Sequence, residues 1–148
     1  MNLLEERILE FINEHHIFTL AVTRDNEPWV ATCFYVYDEN KNRFVFTSDD
    51  DTRHIGDVLA SGNFHCAGAI ALETKIVGKI RGLQFTGMIS KPEGENRRTA
   101  RKSYVSAFPI ARLARLSIWT LTPDYIKMTD NRLGFGKKLI WNAEELAK

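Results

Sequence analysis

A strand that ends in hydroxyl side chains runs into a tight acidic turn and then into a helix within residues 43–59. The side chains at this junction that could do chemistry are Thr47, Ser48, Thr52, Arg53 and His54. One point would then lie within reach of hydroxyls, a guanidinium, an imidazole and the free backbone N–H groups of a helix N-terminus. A phosphate is the usual occupant of such a point. The spacing therefore predicts a phosphate-binding junction.

The same junction also has a purely structural interpretation. Asp51 or Thr52 would cap the helix. Arg53 would be solvated or pair with Asp49, and His54 would lie at the surface. The three consecutive carboxylates at 49–51 would repel a phosphate unless they point to solvent. The local sequence leaves both interpretations open.

The length and composition indicate one globular domain spanning 1–148. The chain has 44% hydrophobic and 26% charged residues and a net charge of +1, which is an ordinary composition for such a domain. It has no apolar run of about 18 residues, and its N-terminal segment is acidic and amphipathic, which argues against a membrane span and a signal peptide. We therefore expect a cytoplasmic protein with no membrane partner.

The cysteines and histidines show no ligand spacing. Cys33 and Cys66 each stand in an apolar run without a CxxC pattern, which favours buried thiols over a disulfide or a metal site. The histidines lack the spacing of a zinc site, so we expect no metal.

Basic residues dominate 91–115, while acidic residues dominate 1–60. The basic segment has two interpretations: a nucleic-acid footprint, or a solvated helix face that also neutralises the acidic half of a partner subunit. We favour the second, because the domain as a whole is not basic, and expect no nucleic-acid partner.

Hydrophobic periodicity places these residues on a mainly β fold. Helices are predicted over 2–14, 52–61 and 93–108. Strands are predicted over 18–23, 28–38, 44–46, 66–72 and 80–90, followed by late strands over 117–121 and 126–129 on either side of Pro123. The fold class is thus β with peripheral helices: a six-stranded antiparallel barrel with an N-terminal helix and inserted helices, closed to remove its edges.

The strand at 28–38 is apolar on both faces. Water cannot cover either face of such a strand favourably. One face must line the barrel core, and the other must lie under a helix or another subunit. The chain has few helices, so a subunit interface is the better expectation.

Several motifs together resemble the pyridoxamine 5′-phosphate oxidase-like family of FMN-binding split barrels. They are the F-V-F-T-S strand end, the T-R-H helix start, the R-G-L-Q-F-T-G strand and the C-terminal T-D-N-R-L-G-F-G-K-K-L-I-W. The last motif looks most like a bacterial branch of that family, the YhbP-like proteins. The similarity extends over nearly the whole chain.

The resemblance implies a homodimer with FMN between the subunits. It implies that the phosphate meets Thr47, Thr52 and Arg53, beside Phe46 and Ser48, and that His54 stands where the family commonly has lysine. It also implies contacts of the isoalloxazine ring with the strand residues Ala31, Thr32 and Cys33, and with the amide of Gln84.

The C-terminal region departs from the oxidases proper. In those enzymes a Trp and an Arg reach the flavin from the partner chain, whereas this sequence has Lys137 and Lys138 near its end. We count both lysines as candidate flavin contacts. The Trp–Arg spacing and the Arg–His substrate clamp are absent, so the vitamin-forming activity does not transfer.

The leading functional hypothesis is an FMN-dependent oxidoreductase that acts on an unknown small molecule, with no catalytic residue identifiable. The alternative is a haem- or flavin-binding barrel without turnover, in which His54 or His65 would be the candidate haem ligand. The third hypothesis is a β-barrel that binds nucleic acid through residues 97–115, but its aromatic residues fall in predicted core strands, unlike those of a stacking platform.

Overall fold

The computed structural model describes residues 4–146. Its helices are α1 (Glu6–Glu14), α2 (Arg53–Ser61), α3 (Gly94–Ala107) and α4 (Ala143–Leu146). Its strands are β1 (Ile17–Arg24), β2 (Glu27–Asp38), β3 (Arg43–Thr47), β4 (His65–Ala71), β5 (Arg81–Ser90), β6 (Ile118–Asp130) and β7 (Lys138–Asn142). Short 3-10 helices at Val77–Lys79, Pro109–Leu113 and Asn131–Leu133 complete the order.

Six antiparallel strands close on themselves. The sheet runs in the order β3-β2-β1-β4-β5-β6-β7, and β3 also pairs with β6. The extra pairing joins the two ends of a six-strand ring, and β7 extends the sheet beyond it through its pairing with β6. The predicted mainly β fold with peripheral helices is confirmed.

The late strands were predicted incorrectly in two respects. The segments 117–121 and 126–129 belong to a single strand, β6, which continues through Pro123. Beyond it, β7 was not predicted at all. The N-terminal helix begins at Glu6 rather than at residue 2, and residues 2–3 of that prediction lie outside the described residues.

Aromatic rings fill the barrel. The Phe18 ring lies 5.5 Å from Phe44, 5.3 Å from Phe46 and 5.7 Å from Phe85, measured between centroids. Helix α1 covers one side, and the Tyr35 hydroxyl donates a hydrogen bond to its backbone at 2.6 Å. Tertiary packing of this kind provides most of the stability of such elements.

Strand β3 is buried on both faces. Phe44 and Phe46 point into the barrel, while Val45 points outward into a second cluster beneath α3, with Ala100, Tyr104 and Ile118. Strand β2, by contrast, is buried on one face only. Its outer face carries Val30, which is 57% exposed, and Phe34, which is 53% exposed.

A β-bulge interrupts the β5–β6 ladder. Thr86 pairs with Tyr125, but Gly87 pairs with Pro123, so the register shifts and Asp124 has no partner across the ladder. A bulge bends a strand and turns a side chain to a new direction. Here it accommodates Pro123, which cannot donate to a regular ladder.

No helix within the described part of the chain is long and apolar enough to cross a membrane.

Candidate functional site

Ser48, directly after β3, is at the centre of an inward-facing polar cluster. Its hydroxyl lies 2.8 Å from His54 Nε2 and 3.7 Å from Cys33 Sγ. The Trp119 indole N–H donates to the Ser48 carbonyl at 3.1 Å. The imidazole of His54 therefore turns toward the barrel. The purely structural interpretation of the sequence, which placed His54 at the surface, is wrong on this point.

Burial makes His54 and Cys33 neutral groups. Desolvation lowers the pKa of His54 below its ordinary value. It raises the pKa of the Cys33 thiol, which the hydrogen bond from Ser48 only partly opposes. Near pH 7 this cluster is a chain of uncharged hydrogen-bonding groups, since burial disfavours the charged form of each.

We expect His54 to make folding stability depend on pH. In the unfolded chain an imidazole takes up a proton near pH 6.5, whereas the folded chain resists protonation because the pKa of His54 is lowered. The contribution of neutral His54 to the free energy of unfolding is complete above that pH, and it is lost as the pH falls toward the pKa of His54 in the folded protein. In urea unfolding between pH 7.5 and 5.5, the His54→Gln variant should therefore lose less stability than the wild type as the pH falls. His16→Gln, at an exposed histidine, is the matched control; equal slopes in both variants would contradict the prediction.

Arg53, at the first turn of α2, already has partners for its charge. Its guanidinium carbon lies 4.0 Å from the Trp29 ring centroid, and its Nε lies 3.4 Å from an Asp57 carboxylate oxygen. A Glu27 oxygen lies 3.9 Å away. The side chain is nevertheless half-exposed. Binding a phosphate there would require the guanidinium to exchange these partners.

The two predicted threonine ligands already have hydrogen-bond partners within the protein. The Thr52 hydroxyl donates to the Asp49 carbonyl at 2.7 Å and makes no capping bond to α2. The Thr47 hydroxyl lies 3.1 Å from that of Tyr104. The carboxylate of Asp50 binds Lys91 at 2.8 Å. Phosphate binding by this junction stays a prediction.

A second candidate region lies on the outer face of the sheet. Two rows of outward-facing residues cross neighbouring strands there. One row runs through Val30, Ala21, Ala67, Thr86 and Tyr125. The next runs through Thr32, Thr19, Ala69, Gln84 and Lys127. The small residues in the middle leave an open groove of about 400 Å³.

The groove has an apolar floor and a polar end. Ala21, Ala67 and Ala69 form the floor, and the polar groups lie on β5 and β6. The Gln84 amide makes no hydrogen bond to any described residue and is exposed. A largely apolar groove with a few polar groups is typical of a small-molecule site.

The predicted flavin contacts thus divide between two regions. Thr32 and Gln84 stand in one cross-strand row of the outer groove. Cys33 is buried behind the sheet and Ala31 is partly buried against the core, because successive residues of a strand face opposite sides. Phe46 is fully buried in the core, so only its backbone could meet a cofactor.

The two C-terminal lysines are exposed. Lys138 begins β7, and its ammonium donates to the Thr129 hydroxyl of β6 at 2.9 Å. Lys137 precedes that strand, and its backbone N–H donates to Gly134. No contact in the described residues joins either lysine to the Ser48 cluster.

Sequence reasoning missed most of the groove. It selected Thr32 and Gln84 but passed over the rest of both rows. The available signal was the run of small side chains at alternate positions of β1 and β4, where Thr19, Ala21, Ala67 and Ala69 all face outward. Among the described residues no cluster of His, Cys, Asp or Glu could hold a metal ion.

The chain is 40% identical over 134 residues to a UPF0306 protein from Klebsiella pneumoniae, with 90% of each chain covered. The UPF0306 protein YhbP of Escherichia coli O157:H7 is also 40% identical, with the same coverage. The chain belongs to the UPF0306 family. The resemblance to the YhbP-like proteins is thereby confirmed. No protein-family model matches the chain.

Solved structures share the fold of this UPF0306 member. A heme binding protein from Mycobacterium smegmatis has a TM-score of 0.76 at 18% identity, covering 98% of this chain and 61% of that one. A protein related to general stress protein 26, of the pyridoxinephosphate oxidase family, from Clostridium acetobutylicum has a TM-score of 0.69 at 14% identity, covering 95% and 94%. A FAD-binding protein from Mesorhizobium loti has a TM-score of 0.66 at 13% identity, covering 82% and 89%. These likenesses confirm the split-barrel fold.

Proposed function

We propose that the chain is an FMN-binding flavoprotein that acts as a homodimer and as an oxidoreductase on a small molecule. The observation that carries the proposal is the groove, whose flat apolar floor is bordered by an unpartnered amide. An isoalloxazine ring has apolar faces and polar edge atoms, so it matches the chemistry of this surface. When bound, the flavin would supply the electron transfer.

The residues of the chain would hold and orient that ring. Ala67 and Ala69 offer a floor without projecting side chains, and the Gln84 amide can donate to and accept from ring edge atoms. Lys127, at the end of the same row, provides a positive charge for a developing anion. Arg53 is the proposed partner of the phosphate.

Exposed apolar side chains around the groove support a dimer. On β2 they are Val30 and Phe34, and Ile17 of β1, which pairs with Phe34, adds to them. Exposed apolar side chains grouped on one sheet face in this way mark an interaction site. We propose that a second copy covers it and excludes water from the flavin. Both cysteines are free thiols, which supports a reducing, cytoplasmic setting.

Titration with FMN and riboflavin tests the proposal. We expect FMN to bind and riboflavin to bind poorly. Arg53→Ala should weaken FMN binding by about 1.5 to 3 kcal/mol, the range for a hydrogen bond to a charged group. Arg98→Ala, which removes an exposed arginine paired with Glu95 on α3, is the matched control and should leave affinity unchanged. Equal affinity for both ligands would show that the phosphate site is misplaced.

Haem binding is the second candidate, and the likeness to the M. smegmatis heme binding protein favours it. Of the two histidines considered as ligands, His54 is buried with Nε2 bound to Ser48, whereas the His65 side chain is 51% exposed. The visible spectrum of protein purified from cells grown with both cofactors distinguishes the two candidates. A Soret band instead of the flavin bands would overturn the flavin proposal.

A further inference from the structure

His65, the first residue of β4, forms a close pair with Asp124. Its Nε2 lies 2.7 Å from an Asp124 carboxylate oxygen. The other carboxylate oxygen accepts a hydrogen bond from the Thr86 hydroxyl. Both oxygens are therefore engaged, and the carboxylate is fixed between two strands.

The bulge in β6 creates this pair. Asp124 is the residue left without a ladder partner between Tyr125 and Pro123. The irregularity places its side chain beside Thr86 of β5 and His65 of β4. Bulges are common beside active sites, where they change the direction of a side chain. Because the backbone of the bulge sets the position of Asp124, the pair is a fixed feature of the fold. It is not a chance contact between two flexible surface side chains.

The carboxylate sets the tautomer of the imidazole. Neutral His65 donates its Nε2–H to Asp124, so Nδ1 carries the free lone pair. No described residue makes a hydrogen bond to Nδ1, and the side chain is half-exposed. A carboxylate that orients an imidazole and stabilises its protonated form is the usual support of a histidine base.

The pair adjoins the outer groove. Thr86, which binds Asp124, lines the groove, as does Tyr125, the next residue of β6. His65 and Ala67 are alternate residues of β4 and share its outer face. The charged and titratable groups around this end are Asp124, Tyr125 and Lys127.

We propose that His65 takes a proton from a ligand held in the groove and that Asp124 is its positioning residue. The ligand class is a flat aromatic alcohol, a phenol or hydroquinone, whose ring lies on the alanine floor. The ligand O–H bond breaks and an N–H bond forms at Nδ1, while Nε2 keeps its proton and continues to donate it in a hydrogen bond to Asp124. The product is a phenolate beside an imidazolium, with the Lys127 ammonium on the same sheet face. Because this ring and the flavin ring would lie on the same floor, the ligand is a second occupant of the groove and not the substrate of the flavin, so the site goes beyond the proposed function.

The probe 4-nitrophenol tests the transfer in the protein without flavin, because its ionised form absorbs in the visible region. At a pH just below its solution pKa, we expect the bound probe to be at least threefold more ionised with the wild-type protein than with His65→Gln. Asp124→Asn should give an intermediate value. Arg98→Ala, which changes an exposed residue of α3 outside the groove, is the control and should behave like the wild type. Unfolding midpoints establish that each variant is folded.

Two results would overturn the proposal: no saturable binding of the probe at millimolar concentration, or equal ionisation with wild type and His65→Gln. Long-range ¹⁵N spectra give an independent readout. They should place the proton of neutral His65 on Nε2 in the wild type and redistribute it in Asp124→Ala. Added FMN should displace the probe if the flavin ring uses the groove. If the probe is ionised at His65 but FMN does not displace it, the His65 site stands and the flavin ring does not bind in the groove.

Discussion

Replacing Gly87 with alanine is expected to lower the free energy of unfolding by about 3 kcal/mol, near the upper end of the usual range for overpacking. A Cβ at this position would lie 2.4 Å from the Thr122 carbonyl oxygen and 2.9 Å from the Pro123 Cα. It would also lie 2.7 Å from a methyl carbon of Leu121, which is fully buried. Backbone atoms of a paired strand cannot move aside without breaking the ladder. The new methyl group must therefore distort the bulge.

Gly56→Ala is the matched control for this substitution. Gly56 lies inside α2, and a Cβ there would meet nothing within 4 Å. Alanine is favoured over glycine in a helix by about 0.5 to 1 kcal/mol, so this variant should be slightly more stable. Urea unfolding of both proteins measures the difference. If Gly87→Ala unfolds like the wild type, the close approach of β5 and β6 is not as described.

The bulge also shows where sequence reasoning reached its limit. Alternation along 80–90 was enough to identify β5, and alternation on either side of Pro123 identified two strands. A proline argues against a continuous central strand, so the two were separated. The sequence does not show that Gly87 allows the register shift that lets β6 continue through Pro123. That compensation depends on two strands that are distant along the chain.

The face that a residue presents was the second limit. Strand β2 is apolar on both faces, so its pattern identified a strand but could not choose between the inward side of Cys33 and the outward side of Thr32. Which face of β2 points inward is decided by packing against the aromatic side chains inside the barrel. The direction of His54 was equally inaccessible, because the local sequence does not show that α2 packs its first turn against Ser48.

Placing a carboxylate in the middle of the groove is the second substitution with a large expected effect. Ala69 lies between Thr19 and Gln84 in the cross-strand row that runs from Thr32 to Lys127. In Ala69→Glu the side chain would project from the sheet into the space proposed for the flavin ring and the second subunit. Burying an unpaired carboxylate costs several kcal/mol. We expect FMN affinity to fall more than a hundredfold and the dimer to dissociate.

The barrel itself should tolerate this change, because Ala69 faces away from the core. Circular dichroism should therefore stay close to that of the wild type, and unfolding should stay cooperative, with a midpoint lowered only by the lost dimer contacts. Ala60→Glu, at an exposed position of α2, adds the same charge away from the groove and should leave FMN binding and assembly intact. Sedimentation velocity gives the oligomeric state, and quenching of flavin fluorescence gives the affinity. A folded Ala69→Glu dimer that still binds FMN as the wild type does would exclude the groove, and the junction at Ser48 and Arg53 would become the place to search for the cofactor.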